Sequence, residues 1–104
     1  LIMIKLIALT VVKELEKDAI ALLKKAGILT WSTIHMEGHK QYNENQIEKN
    51  WFSSTHNDVD SMLLFSFTEN EKIEGLIRLL NEFNQKADCS SPVKLAVLHV
   101  EQFI

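Results

Sequence analysis

The chain is poor in the residues that staple, kink or hinge a backbone. Of its 104 residues, one is cysteine, one is proline and three are glycine. A single cysteine, Cys89, excludes an intrachain disulfide and fits a reducing compartment. It lies between Asp88 and Ser90, with no cationic neighbour to make it a thiolate, so it reads as unreactive. Basic residues are not in excess: 11 Lys and Arg stand against 14 Asp and Glu, giving a net charge of −3. That balance excludes a surface built to neutralise phosphates, so no nucleic-acid partner is expected. No basic amphipathic helix is present, and no apolar run is long enough to cross a bilayer. The opening "LIMIKLIALTVV" carries no small-residue cleavage site and runs straight into charged sequence. It reads as a buried strand of a cytoplasmic protein, without direct membrane insertion.

What the chain does have is apolar residues, at 46%, enough for one domain over residues 1–104. The first strand is expected at Met3–Thr10, apolar on both alternating sets, as in a strand covered on both faces. Leu15, Ala19, Leu22, Leu23 and Ala26 recur at helical spacing and predict a helix over Lys13–Ala26. Gly27 supplies its stop, and Lys24 and Lys25 suit the negative end of the helix dipole. A second strand follows at Ile28–Met36 and a third at Ser61–Phe67. Thr68 and Glu71 form the pattern of a capping box for a helix over Glu69–Gln85, with Ile73, Leu76, Ile77, Leu80 and Phe83 on one side. Pro92 opens the last strand, Val93–Val100, where a missing N–H does least harm. Glu101–Ile104 is read as a short added tail strand.

The order βαββαβ predicts an α+β, ferredoxin-like sandwich: a four-stranded antiparallel sheet with both helices on one face. Two helices cover one face only, yet strands one, three and four are apolar on both. The uncovered face asks for a partner, and another copy of the same chain is the simplest one, so self-association is expected.

This layout, with "MIKLIALTVVKELEKDAIALLKKAGI" as opening strand, helix and glycine turn, resembles the PII-like signalling proteins. The resemblance spans most of the chain. It implies a homotrimer and a non-enzymatic regulatory role, with a small effector sensed and a target protein met through the long loop at about 37–60. "NWFSS" and the sequence from "DSMLLFSFTENEKIEGLIRLLNEFN" to "SPVKLAVLHVE" is similar to PII-like proteins associated with heavy-metal efflux, which implies a membrane transporter as partner. The family's phosphate-holding segment at the loop base is matched loosely by "GHKQ", giving Gly38, Lys40 and Gln41 as ligand-binding candidates. Its glycine-rich turn before the last strand is replaced by "ADCSSPVK". Backbone N–H groups cradle phosphate best where glycines allow close approach, so the replacement speaks against ATP binding of the family's usual kind. Tyr42 does not stand in the context of the family's modified tyrosine. The CutA family, linked to divalent-metal tolerance, shares the layout, but its Trp-Glu-Gly-rich segment is not seen.

Two further groups of residues stand out. His35, His39 and His56 lie at the ends of the long loop, and imidazole suits zinc, copper or nickel, so a divalent metal is a candidate cofactor. Equally, they read as ordinary polar residues of a strand end and a loop, since no tight Cys/His motif frames them. Trp51 and Phe52 sit in otherwise polar sequence. They either tuck back onto the protein or anchor a partner, aromatic residues being enriched at binding hot spots. Asp58 and Asp60 read as flanking a turn and capping or terminating the loop, and His99 as a sheet histidine. Catalysis finds little support: Ser53, Ser54 and Thr55 near His56 lack an orienting group and an oxyanion donor. A metal-tolerance protein and a small ferredoxin-like enzyme remain the alternative functions.

Overall fold

The computed structural model describes residues 3–39, 58–86 and 92–104. Strand β1 is Ile4–Val12, helix α1 Glu16–Lys25, strand β2 Ser32–His39, strand β3 Asp58–Glu69, helix α2 Ile73–Lys86 and strand β4 Lys94–His99. The four strands form one sheet in the order β2-β3-β1-β4, every neighbouring pair antiparallel. This is the predicted ferredoxin-like arrangement.

Strand periodicity decides which residues meet the helices. Ile7, Leu9 and Val11 of β1 lie opposite Ser66, Leu64 and Met62 of β3. These residues face α1 and α2, and the apolar ones join Ala19, Leu23, Leu76 and Leu80 in one buried cluster. Truncating a leucine such as Leu64 or Leu76 removes its burial and leaves a cavity, at a cost of roughly 2–5 kcal/mol. The intervening residues face away from the helices. Across that side run rungs such as Phe67–Leu6–Leu98 and Phe65–Ala8–Ala96. Ile34, Phe67 and Leu98 stay close to half exposed there.

Helix α1 ends as its sequence dictates. Gly27 takes φ 84°, a left-handed conformation that other residues enter only with strain. The Gly27 N–H then donates to the Lys24 carbonyl at 3.0 Å and the Ile28 N–H to the Leu23 carbonyl at 2.9 Å, the paired bonds of a Schellman motif. Lys72 Nζ donates to the Gly27 carbonyl at 3.0 Å, which ties the start of α2 to the end of α1.

Several boundaries differ from expectation. Lys13–Leu15 is a 3-10 turn rather than the first turn of α1. Strand β2 starts at Ser32 because the Ile28 N–H serves the helix stop and the Thr30 carbonyl accepts from Ser66 Oγ at 2.6 Å. The capping box at Thr68 does not form. Thr68 is the penultimate residue of β3, its hydroxyl donates to Ser66 Oγ at 3.1 Å, and a 3-10 turn over Asn70–Lys72 precedes α2. Glu101–Ile104 is not a strand; it brings the Phe103 ring to 5.1 Å from that of Phe67. No helix among the described residues is long and apolar enough to cross a membrane.

Candidate functional site

The last rung shared by β1 and β3 is Val12 opposite Ser61. Beyond it, β2 and β3 continue alone as a two-stranded ribbon, pairing Glu37 with Asp60, Gly38 with Val59 and His39 with Asp58. Asp58 and Asp60 are therefore ladder residues at the start of β3, which begins three residues before the expected Ser61. Pairing overrides the low strand propensity of aspartate when a neighbouring strand offers its backbone.

Alternation places His35, Glu37 and His39 on one side of β2, together with the position of Asp60 across the ladder. Glu37 and Asp60 put two carboxylates directly opposite each other, a pairing that repels unless something positive stands near. His39 Nε2 lies 3.8 Å from Glu37 Oε1, both side chains well exposed. Where β1 turns away, Lys13 comes to the same place. Lys13, His35, Met36, Glu37, Asp60 and Ser61 line a hollow of about 310 Å3 at the base of the β2–β3 connection. The side chains that alternation turns to this side bring it one ammonium, two carboxylates and an imidazole, while Met36 and Ser61 belong to the opposite alternation. Such a set suits a small cationic or zwitterionic guest better than a polyphosphate, which would meet two like charges.

The sequence-derived candidates fall into three groups. His35 and His39 share a side of β2, but four residues of extended chain separate them by about 13 Å, too far for one ion to bridge. Among the described residues no group of three or more His, Cys, Asp or Glu side chains comes together to hold a metal ion. Gly38 is buried within the ribbon opposite Val59. Lys40, Gln41, Trp51, Phe52 and His56 lie outside the described residues, as do Tyr42 and Cys89. His99 is exposed on β4. Sequence reasoning missed Lys13 and Asp60. The signal for Asp60 was the alternation in "DVDSMLLF", which carries the strand pattern back to Asp58.

No family model matches the chain, and no curated protein matches it by sequence. Solved structures do match in fold. CPII from Thiomonas intermedia, a nitrogen regulatory PII-like protein bound to ADP, AMP and bicarbonate, aligns over 97% of this chain and 96% of its own, with 14% identity and a TM-score of 0.63. A DUF3240 family protein from Shewanella baltica aligns over 99% of this chain and 96% of its own, with 10% identity and a TM-score of 0.68. A candidate PII-like signalling protein from Thermus thermophilus aligns over 95% and 88%, with 16% identity and a TM-score of 0.60. At these identities the likeness is one of fold, and it extends over nearly the whole of each chain.

Proposed function

We propose that this chain is a non-enzymatic regulatory protein of the PII-like kind, working in the cytoplasm. It senses a small effector at the base of the β2–β3 connection and meets a partner, a membrane transporter of the metal-efflux type, through that connection. The observation that carries the reading is the end-to-end fold likeness to CPII, a nitrogen regulatory PII-like protein. The hollow beside Lys13, Glu37 and Asp60 supports it, because it lies where the long connection leaves the sheet. Gly38, Lys40 and Gln41 are the proposed ligand contacts of the connection itself, and Trp51 and Phe52 its partner contacts. Copies assemble as a homotrimer through the helix-free face of the sheet.

Titration calorimetry against ADP, AMP, bicarbonate, MgATP and divalent metal ions tests the effector. The expected result is saturable binding of one of these ligands that Glu37→Gln or Asp60→Asn alters, weakening a cation and strengthening an anion, with MgATP weak or absent. No binding of any of them removes the sensing role, and low-micromolar MgATP affinity overturns the inference drawn from "ADCSSPVK". Light scattering at micromolar concentration tests the trimer; a stable monomer rejects it. Alanine at both Trp51 and Phe52 is expected to leave assembly and thermal stability intact while weakening partner contact. Loss of assembly in that variant would make the rings packing residues. The metal-tolerance alternative would need His35 or His39 from more than one copy, because the two lie about 13 Å apart on one strand, too far to share an ion. Zinc titration of the His35→Ala and His39→Ala variants decides it, with equal affinity in both and in the parent counting against it.

A further inference from the structure

Val93 gives both of its backbone groups to the side-chain amide of Asn84. In extended chain a residue points its N–H and C=O the same way, and every second residue repeats that direction. Leu95, Val97 and His99 therefore turn theirs away from β1 as well. The far side of β1 gives the same phase. There the Asn70 N–H donates to the Met3 carbonyl at 2.8 Å, one rung beyond Ile4 and Glu69, so odd residues of β1 bond β3 and even ones bond β4. Strand β4 ends the sheet, with no strand on its outer side among the described residues. Past Val93 its edge offers the backbone groups of Leu95, Val97 and His99, spread over about 13 Å. Sheet edges are commonly blunted against pairing, and here Asn84 blunts only the first rung. Leu95 and Val97 turn their side chains to the helix side. With Ile77, Leu80, Asn81 and Asn84 of α2 they line a groove of about 340 Å3 along that edge. Ile77 and Val97 are 40% and 39% exposed in it. Lys94 is the charged residue at its border, and alternation turns that side chain to the helix-free side.

We infer that the outer edge of β4 receives an extended peptide segment of a partner protein, added as a fifth strand with an aliphatic side chain seated in the groove beside α2. Main-chain hydrogen bonds to Leu95, Val97 and His99 supply the affinity, and the groove selects the side chain. Asn84 displays the chemistry that this edge takes, an amide presented in the manner of a neighbouring strand. It also sets the register, because it fills the place opposite Val93 and the added strand must stop beside Leu95. The uncharged groove argues against a second copy of this chain as the occupant. The other edge of the sheet is β2, which turns Thr33, His35, Glu37 and His39 to the helix side. In a ring of copies with every helix layer on the same side, those charges would lie against Ile77 and Val97 without partners. An uncharged segment of alternating aliphatic residues meets no such penalty. The surface lies at the opposite margin of the sheet from β2, so it stands apart from the effector hollow and from the partner contacts proposed for the long connection.

Amide hydrogen exchange read by NMR tests this on the full chain, alone and with a panel of short acetylated and amidated peptides in which Thr alternates with Val, Leu or Phe. In the chain alone, Leu95, Val97 and His99 should exchange fast, while Ala96 and Leu98, bonded to β1, are protected. A peptide of the panel should slow the first three by roughly tenfold or more. Two variants locate the effect. Ile77→Glu charges the groove, and Val97→Pro removes one outward N–H while sparing the ladder to β1. Each should weaken peptide affinity by roughly tenfold or more, with circular dichroism as the fold control. If Val97→Pro unfolds, Ile77→Glu decides by itself. Protection of Leu95 and Val97 in the chain alone overturns the inference, since the edge is then already covered, by a second copy where dilution removes the protection and by this chain where it does not. Failure of every peptide at millimolar concentration, or equal affinity in Ile77→Glu and the parent, overturns it too.

Discussion

Asn84 grips Val93 with both ends of its side-chain amide. Nδ2 donates to the Val93 carbonyl at 2.9 Å, and the Val93 N–H donates to Oδ1 at 2.9 Å. The pair substitutes for one rung of a β-ladder and fixes the start of β4 to the last turns of α2. Val93 is buried, so removing the amide strands a donor and an acceptor away from water. Asn84→Ala is expected to cost about 2 kcal/mol, a fall in melting temperature of roughly 10 °C. Asn84→Asp keeps the acceptor and loses the donor, and should fall between. Thermal melts of both variants check the order.

Gly27 gives a second expectation. A Cβ built there would meet the Lys72 side chain at 3.9 Å, ordinary contact, so space is not what requires glycine. The requirement is the φ of 84°. Gly27→Ala should therefore destabilise by about 1–2 kcal/mol through backbone strain. Gly27→Asn should cost less, because asparagine tolerates the left-handed region. Chemical denaturation with an unchanged m-value would place both effects in the folded state. Equal losses for the two variants would point to Lys72 contacts instead.

Much of this fold is legible in the sequence, and the reasons are specific. The stripe from Ile73 to Phe83 and the stop at Gly27 are local signals, each decided within one or two helical turns. The capping box at Thr68 misled because the same residue could end a strand or start a helix. The ladder to β1 runs through Glu69, and Ser66 was there to take the hydroxyl. The start of β3 reads too late for a related reason, since two aspartates suggest the cap of a loop while their register with His39 and Glu37 makes them strand. Lys13 reaches the hollow only because β1 leaves the sheet there, a tertiary fact without a local signature. The approach of Phe103 to Phe67 spans 36 positions and carries no periodicity to read.

The facing carboxylates of Glu37 and Asp60 make a third prediction. Like charges directly opposite on a ladder destabilise it by a few tenths of a kcal/mol. Glu37→Gln or Asp60→Asn should each raise the melting temperature slightly, and the double variant should gain no more than either single one, because the repulsion is already gone. The gain should shrink in 1 M salt, where the screening length falls to about 3 Å. Additive gains at low salt would show that the two groups do not interact.

The assembly face can be tested with two neighbouring residues. Val97 and Leu98 are consecutive on β4, so their side chains point to opposite sides of the sheet. They are almost equally exposed, at 39% and 45%. Val97 borders a groove between β4 and α2, on the helix side. Leu98 lies in the rung with Leu6 and Phe67, on the helix-free side. Glutamate at either place adds the same charge at the same distance along the strand, and both sites are wet enough that folding stability should change by no more than about 0.5 kcal/mol. The two variants therefore differ in one respect, the face that receives the charge. If copies meet through the helix-free face, Leu98→Glu should yield monomers at micromolar concentration by light scattering, since a carboxylate would be buried among leucine and phenylalanine without a partner. Val97→Glu should assemble as the parent does. The reverse pattern would move the interface to the groove beside α2, and dissociation of both would implicate the edge of β4 itself, whose backbone groups either face could disturb.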